Sequence, residues 1–136
     1  MIGLVLVTHG RLAEELKLAT EHVLGPVECF ATVCIGADDD LEQAHGRVQA
    51  AVDSVRDDAG VIVLTDMFGG TPSNLSISLI GREKVDVIAG VNLPMLIKLC
   101  EARDGMGLAE AAQTAKQAGR HYIAIASEVI AGDMDE

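Results

Sequence analysis

The chain has 136 residues, of which 49% are hydrophobic and 2% aromatic, and its formal net charge is −11. This length fits one domain, packed by Val, Ile, Leu and Ala. The acidic charge repels nucleic acid and anionic lipid, and no apolar run reaches the roughly 20 residues of a membrane span, so we expect neither nucleic-acid binding nor membrane insertion. Three cysteines without a CxxC pair are typical of reduced thiols and predict a cytoplasmic protein.

Short runs of Val, Ile and Leu alternate with amphipathic segments along the chain. The runs are typical of strands covered on both faces of a parallel sheet, and they predict strands at residues 2–8, 28–35, 61–65 and 85–89. The amphipathic segments predict helices at residues 11–24, 39–56, 71–80, 93–103 and 108–118. Strands alternating with helices in this way indicate an α/β fold, a doubly wound and mostly parallel sheet.

Several details of these elements are specific enough to check. The apolar stripe of the first helix is predicted to contain Leu12, Leu16, Ala19 and Val23. Thr71 is predicted to cap the third helix, with Pro72 as its first residue and its end near Gly81. Residues 122–126 are predicted to form a last strand. Residues 1–130 are therefore expected to form a single domain, and residues 131–136 a disordered acidic tail.

Polar residues follow two of the predicted strands. His9 comes after the first strand, followed by Gly10, and Asp66 comes directly after the third. Ligands of open α/β sheets bind beyond the carboxyl ends of the strands, where the strand order reverses. If these two strands are neighbours, Asp66 can accept the ring N–H of His9 and make its other nitrogen a better nucleophile. The alternatives are that His9 is a polar loop residue and that Asp66 caps a turn.

A phosphoryl group on His9 would need hydrogen-bond donors. The helices beginning near Arg11 and Pro72 can aim free backbone N–H groups at this edge of the sheet. Gly69 and Gly70 allow the backbone to come close, and the hydroxyls of Thr71 and Ser73 can donate. The chain has no GxxxxGK[ST], GxGxxG, GxSxG or HExxH motif, so we expect no nucleotide loop, no hydrolase elbow, no metal and no cofactor.

Three segments, at residues 5–10, 63–74 and 89–96, together resemble the IIA components of the mannose family of the phosphoenolpyruvate-dependent sugar phosphotransferase system. They read VLVTHG, VLTDMFGGTPSN and AGVNLPML, and the resemblance extends from Met1 to about Ile125. It implies that His9 is phosphorylated, that Asp66 is its carboxylate partner, and that residues 67–73, including Met67, shape the phosphate pocket. It also implies a strand order of 2-1-3-4, with the C-terminal strand antiparallel and exchanged between the subunits of a homodimer.

The resemblance further implies the partners. A phosphorylated histidine-containing phosphocarrier protein (HPr) would be the donor. A separate IIB protein would be the acceptor, in association with a membrane permease. Three alternatives stay open: a regulatory module whose histidine phosphorylation signals to partner proteins, the phosphoryl-transfer subunit of a dihydroxyacetone kinase, and a flavodoxin-like binding domain without a covalent step.

Overall fold

The computed structural model describes residues 1–80 and 84–132 and contains four strands and six α-helices in that part of the chain. In chain order the elements are β1 (Gly3–His9), α1 (Leu12–Leu24), β2 (Phe30–Ile35), α2 (Leu41–Val55), β3 (Val61–Thr65), α3 (Thr71–Ile77), β4 (Val85–Ala89), α4 (Leu93–Ala102), a 3-10 turn (Arg103–Gly105), α5 (Leu108–His121) and α6 (Ala126–Ile130). The four predicted strands before residue 90 and the five predicted helices are confirmed. α3 ends at Ile77, earlier than the predicted end near Gly81, which itself lies outside the described residues.

The sheet is parallel, and its strand order is β2-β1-β3-β4. This confirms the expected order and makes β1 and β3 neighbours. Val7 of β1 is in register with Thr65 of β3, and His9 is in register with Ile35 of β2. The carboxyl ends of β1 and β3 therefore meet at one edge, where the chain connections depart in opposite directions.

Helices cover both faces of the sheet. Alternate residues of β1 enter two separate cores: Leu4 and Leu6 pack with α1, α4 and α5, whereas Val5 and Val7 pack with α2. Each of these four side chains is fully buried. A strand buried on both sides needs apolar residues at every position, which explains why the predicted strands are unbroken apolar runs.

The buried face of α1 differs from the predicted stripe. Ala13 and Thr20 are buried and Leu16 is partly buried, whereas Leu12 and Val23 are 42% and 54% exposed. Thr20 can be buried because its hydroxyl donates to the carbonyl of Leu16, at 2.8 Å. The helix is thus rotated away from the face that hydrophobicity alone predicts.

The prediction of a strand at residues 122–126 is wrong for the single chain. α5 ends at His121 with Tyr122 as its C-cap, residues 123–125 have no regular structure, and α6 begins at Ala126. Side chains in this region are exposed, including Ile123 at 75% and Ile125 at 62%. A strand needs a neighbouring strand for its backbone hydrogen bonds, and none of the four described strands pairs with this segment. Of the predicted acidic tail, Ala131 and Gly132 form a turn, and residues 133–136 lie outside the described part.

Arg103 connects the segments that lead into β1 and β2, at the amino ends of the strands, whereas His9 lies at the carboxyl end of β1. Its side chain is 3% exposed, and its guanidinium donates to the carbonyls of Ile2, Glu28 and Cys29. These carbonyls belong to the start of β1 and to the segment that enters β2. One buried cation therefore donates to three backbone carbonyls, of which that of Ile2 is buried and that of Cys29 also accepts the N–H of Leu4.

Replacing Arg103 by Met is expected to lower the free energy of unfolding by about 2–4 kcal/mol, because the buried carbonyl of Ile2 and the partly buried carbonyl of Glu28 lose the donors that Arg103 supplies. Urea unfolding measures the change, with the exposed Lys98→Met on α4 as the control. Phosphorylation of His9 should be unaffected, since Arg103 lies at the opposite edge. A loss below about 0.5 kcal/mol would show that the carbonyls find other donors.

Candidate functional site

His9 and Asp66 meet at the carboxyl edge of the sheet. His9 is the last residue of β1, and Asp66 follows the last residue of β3. The Nδ1 atom of His9 lies 2.9 Å from Oδ2 of Asp66, and the backbone N–H of His9 donates to the same oxygen at 3.1 Å. The side chain of His9 is 49% exposed and that of Asp66 is 16% exposed. The carboxylate is thus a largely covered support for a ring that solvent and partner proteins can reach.

The hydrogen bonds of Asp66 favour its ionised form, and they determine which ring nitrogen of His9 carries the proton. Besides the two donors on His9, the N–H of Met67 donates to Oδ1 at 3.1 Å. Burial opposes ionisation of Asp66, but the hydrogen bonds from the His9 ring and backbone outweigh it, so the pKa of this carboxyl is lowered. An ionised carboxylate can only accept, so the proton of neutral His9 is on Nδ1. The lone pair is then on Nε2.

The lowered pKa of Asp66 predicts a pH dependence of stability. A carboxyl whose pKa is lower in the folded state stabilises the fold above its unfolded pKa of about 3.9, and this contribution disappears as the pH falls through the folded value. The stability advantage that the wild-type protein has over Asp66→Asn at about pH 5 is therefore expected to shrink as the pH falls below about 4. Urea unfolding of both proteins across this range measures it. A difference that stays constant down to about pH 2 would contradict the assignment.

Gly70 lies against the other side of the His9 ring. A Cβ atom built on Gly70 would lie 2.6 Å from Cε1 and 2.7 Å from Nε2 of His9. Carbon and nitrogen atoms that are not bonded do not approach so closely, so a side chain is excluded here. The prediction that a glycine brings backbone close to the site is fulfilled at Gly70. Nε2, the nitrogen that carries the lone pair, therefore faces residues 67–70, which we call the glycine loop.

The glycine loop ends at α3, with one change from the prediction. Gly70 is the N-cap, and Thr71 and Pro72 form the start of the helix, so Thr71 is not the capping residue. The helix can start one residue early because Gly70 is extended and its carbonyl accepts the N–H of Asn74, at 3.0 Å. Gly69 adopts a φ of +89°, which requires glycine. Thr71 is partly exposed, whereas Ser73 is fully buried.

The start of α1 is held by a residue that the sequence reasoning did not select. The hydroxyl of Thr8 is fully buried and accepts the N–H of Ala13 at 2.7 Å, whereas the N-cap residue Arg11 makes no capping bond with its side chain. Through this hydrogen bond, Thr8 connects the start of α1 to the end of β1, next to His9. Gly10, with a φ of +56°, turns the chain between them and donates its N–H to the carbonyl of Ile35, at 2.9 Å.

Large apolar side chains are exposed at the start of α1 and directly after Asp66, in the segments that follow the two strands of the site. Leu12, Met67 and Phe68 are 42%, 55% and 61% exposed. Arg11 is paired with Glu14 on the surface at 3.0 Å. Large exposed apolar side chains around a reachable imidazole are typical of a surface that meets another protein.

The segment after β4 is hydrogen-bonded to β3 and to α5. Gly90 and Val91 donate their N–H groups to the carbonyl of Thr65, next to Asp66. The side chain of Asn92 accepts the N–H of Met95 and donates to the carbonyl of Gly119 in α5. Together with Phe68, this segment also lines a cavity of about 400 Å³ beside β4.

Metal-binding clusters and membrane-spanning helices are both absent from the described residues. Within residues 1–80 and 84–132, no group of three or more His, Cys, Asp and Glu side chains is placed to hold a metal ion. None of the helices described there combines the length and the apolar character needed to cross a bilayer.

The fold and the site define a doubly wound α/β protein with a histidine–aspartate pair at its switch point. A family model described as "PTS system fructose IIA component" (EIIA-man) matches residues 3–116. The chain therefore belongs to this family of sugar phosphotransferase IIA components.

Individual relatives agree with this assignment. The chain is 34% identical over 104 residues to the "PTS system mannose-specific EIIAB component" of Escherichia coli K12, covering 76% of this chain but 32% of the relative, so it spans about a third of that protein. It is 30% identical over 108 residues to the "PTS system sorbose-specific EIIA component" of Lacticaseibacillus casei, covering 79% of this chain and 78% of the relative.

A solved structure extends the similarity to the fold. The structure of "phosphotransferase system component EIIA" from Streptococcus agalactiae has a TM-score of 0.85 and 25% identity, and the match covers 93% of this chain and 98% of the other.

Proposed function

We propose that this chain is a phosphoryl carrier that accepts a phosphoryl group from phosphorylated HPr on His9 and passes it to a IIB protein in the cytoplasm. One observation carries the proposal: Nδ1 of His9 is 2.9 Å from the Asp66 carboxylate, while Nε2 faces a glycine loop. A histidine held in this way is half exposed, oriented and equipped with a free lone pair. Membership in the family of IIA components supports the same role.

The geometry favours Nε2 as the phosphorylated nitrogen. Its lone pair attacks the phosphorus of the donor's phosphohistidine, the donor's P–N bond breaks, and its electron pair returns to the donor imidazole. The His9 ring gains positive charge as the new bond forms, and the Asp66 carboxylate stabilises that charge through Nδ1–H. Transfer to the IIB protein reverses these steps at His9. The reaction needs positioning and electrostatic stabilisation rather than a new covalent group.

The phosphoryl oxygens require donors, and the proposal assigns them to the backbone around His9. Among the residues that border the ring, Gly10, Met67 and Gly69 already donate their N–H groups to Ile35, Asp66 and Ser73. The donors assigned to the phosphoryl group are therefore the N–H groups of Gly70 and Thr71, and α1, with 13 residues, begins beside the ring. Backbone N–H groups at such turns and helix starts bind anions without a lysine or a metal. A side-chain donor is available in Thr71, which is partly exposed at the start of α3.

The test is direct phosphorylation. The protein is incubated with phosphoenolpyruvate, enzyme I and HPr, and intact-mass spectrometry is expected to show a gain of one phosphoryl group that acid removes. Two-dimensional NMR of the labelled imidazole is expected to place the phosphorus on Nε2 of His9. Omission of HPr should prevent labelling. A modification on another residue, or an acid-stable one, would contradict the proposal.

The proposal includes a homodimer that exchanges C-terminal segments. In the described part of the chain, β4 is an edge strand that pairs with β3 alone, and the cavity of about 400 Å³ lies along it. Unpaired edges bind additional strands, and residues 122–126 of the same sequence are apolar and exposed. A second copy would supply the strand that the single chain lacks.

Ile123→Asp is expected to weaken the dimer at least about tenfold, because it would place a carboxylate in an apolar interface. Ile123 is 75% exposed in the single chain and lines the cavity beside β4. Sedimentation velocity across a concentration series measures the change. Leu18→Asp on α1, where Leu18 is 60% exposed, is the matched control and should leave association unchanged. A wild-type protein that sediments as a monomer at all concentrations would exclude this part of the proposal.

A further inference from the structure

Ser73 is a buried hydroxyl with two partners in the glycine loop. Its side chain is fully buried, and Oγ accepts the N–H of Gly69 and donates to the carbonyl of Gly70, both at 3.1 Å. The hydroxyl thereby closes the turn that leads into α3. Sequence reasoning selected Ser73 as a donor to the phosphoryl group, but its burial and its two loop contacts favour another role.

Other serines of the same helix do not reach the loop. Oγ of Ser76 is also fully buried, but it donates within the helix to the carbonyl of Pro72, at 2.7 Å. Such a bond back to residue i−4 is common for serine in helices and fixes nothing outside the helix. Ser73 instead joins the helix to Gly69, whose left-handed backbone no other residue type tolerates well.

The loop that Ser73 holds lies beside Nε2 of His9. A Cβ atom built on Gly70 would lie 2.7 Å from Nε2 of His9. The carbonyl of Gly70 accepts hydrogen bonds from the hydroxyl of Ser73 and from the N–H of Asn74. A small movement of this turn changes the space beside Nε2 and the direction of the N–H groups around it. Donors of this kind act on a reaction through their preset orientation.

We infer that Ser73 is a positioning residue, which acts on phosphoryl transfer through Gly69 and Gly70 and not by touching the phosphoryl group. This inference rests on the proposed function. Because Ser73 is buried, it contacts no partner protein, so its loss should lower the rate of transfer within the complex without weakening the binding of HPr. A residue with a purely structural role would lower stability alone.

The test compares Ser73→Ala with Ser76→Ala, which removes an equally buried hydroxyl one turn along the helix. Ser73→Ala is expected to lower kcat for phosphorylation about tenfold, the factor that one hydrogen bond of ordinary strength carries, with KM for phosphorylated HPr within about twofold. Ser76→Ala should leave both constants within about twofold. Rates that fall equally in the two variants, or a Ser73→Ala rate within about twofold of the wild type, would overturn the inference.

A second measurement needs neither a variant nor phosphorylation. The amide of Gly69 donates to Ser73, so hydrogen exchange of this amide in the wild-type protein should be slowed to the range of amides in α3. Exchange at the rate of an open loop would overturn the inference even if Ser73→Ala did not fold. If the proposed function itself were wrong, the wild-type protein would carry no label on His9. That result differs from a failure of the inference on Ser73, in which the wild-type protein is labelled.

Discussion

His9→Ala is expected to reduce phosphorylation by phosphorylated HPr to less than about one thousandth of the wild-type rate, because the nucleophile is removed and no group replaces it. Transfer requires a lone pair beside the glycine loop, and alanine supplies none. The measurement is the initial rate of label incorporation with phosphoenolpyruvate, enzyme I and HPr in excess. This is the largest effect that the site predicts for a single side chain.

The fold should survive this substitution. The imidazole is half exposed, and Asp66 keeps the backbone N–H groups of His9 and Met67 as hydrogen-bond donors. The free energy of unfolding is therefore expected to change by about 1 kcal/mol or less. His22→Ala, at an exposed position near the end of α1, is the matched control and should be labelled at the wild-type rate. Undiminished labelling of folded His9→Ala would move the phosphorylation site to another residue.

The pairing of His9 with Asp66 could be predicted although 57 positions separate them. Each follows a short apolar run, and unbroken runs of this kind indicate strands with both faces covered. Parallel strands end at a common edge, so two polar residues directly after neighbouring strands must lie close together. The strand patterns left open whether β1 and β3 are neighbours, whereas the resemblance implied the order 2-1-3-4, which the observed sheet confirms.

The orientation of α1 could not be read from periodicity. The helix is held by a bond from the N–H of Ala13 to Thr8, which lies outside the helix. The buried Thr20 satisfies its own hydroxyl within the helix, so a polar residue occupies a core position without cost to its hydrogen bonding. Hydrophobic periodicity counts Leu12 as a core residue and Thr20 as a surface residue, and the packing reverses both.

The C-terminal segment shows a different limit. Residues 122–126 have the composition of a strand, but composition does not supply a sheet edge. The four described strands leave this segment unpaired, and a strand without a neighbour cannot complete its backbone hydrogen bonds. Ser73 is a second case in which residue type alone did not predict the contacts. Its residue type predicts a hydrogen-bond donor, whereas the folding of the glycine loop decides which groups it contacts.

Asp66→Asn is expected to lower the rate of phosphorylation by about 10²–10⁴-fold while the protein stays folded. Every neighbour of the Asp66 carboxylate is a donor: the ring and the backbone N–H of His9 at Oδ2, and the N–H of Met67 at Oδ1. An amide has one accepting oxygen and one NH2 group, so it cannot satisfy both sides. Initial rates with saturating phosphorylated HPr measure the effect.

The amide introduced by Asp66→Asn can adopt two orientations, which have different consequences for His9. If the NH2 group faces the ring, Nδ1 must accept, the ring proton moves to Nε2, and the lone pair no longer faces the glycine loop. If the oxygen faces the ring, the tautomer is kept, but the charge that stabilises the developing imidazolium is lost and the NH2 group meets the N–H of Met67. Both orientations slow the transfer, so the predicted loss does not depend on which one is adopted.

The control for this variant is Asp39→Asn, in the loop after β2. Asp39 also accepts a backbone N–H, from Gly36 at 2.8 Å, and pairs with a basic side chain, that of Arg47, at 3.3 Å. It thus matches Asp66 in the kind of contacts but is not bonded to His9. Its rate should stay within about threefold of the wild type, since surface ion pairs contribute little. Equal rates for wild-type protein and Asp66→Asn would show that the carboxylate has no part in the transfer, even if His9 is the acceptor.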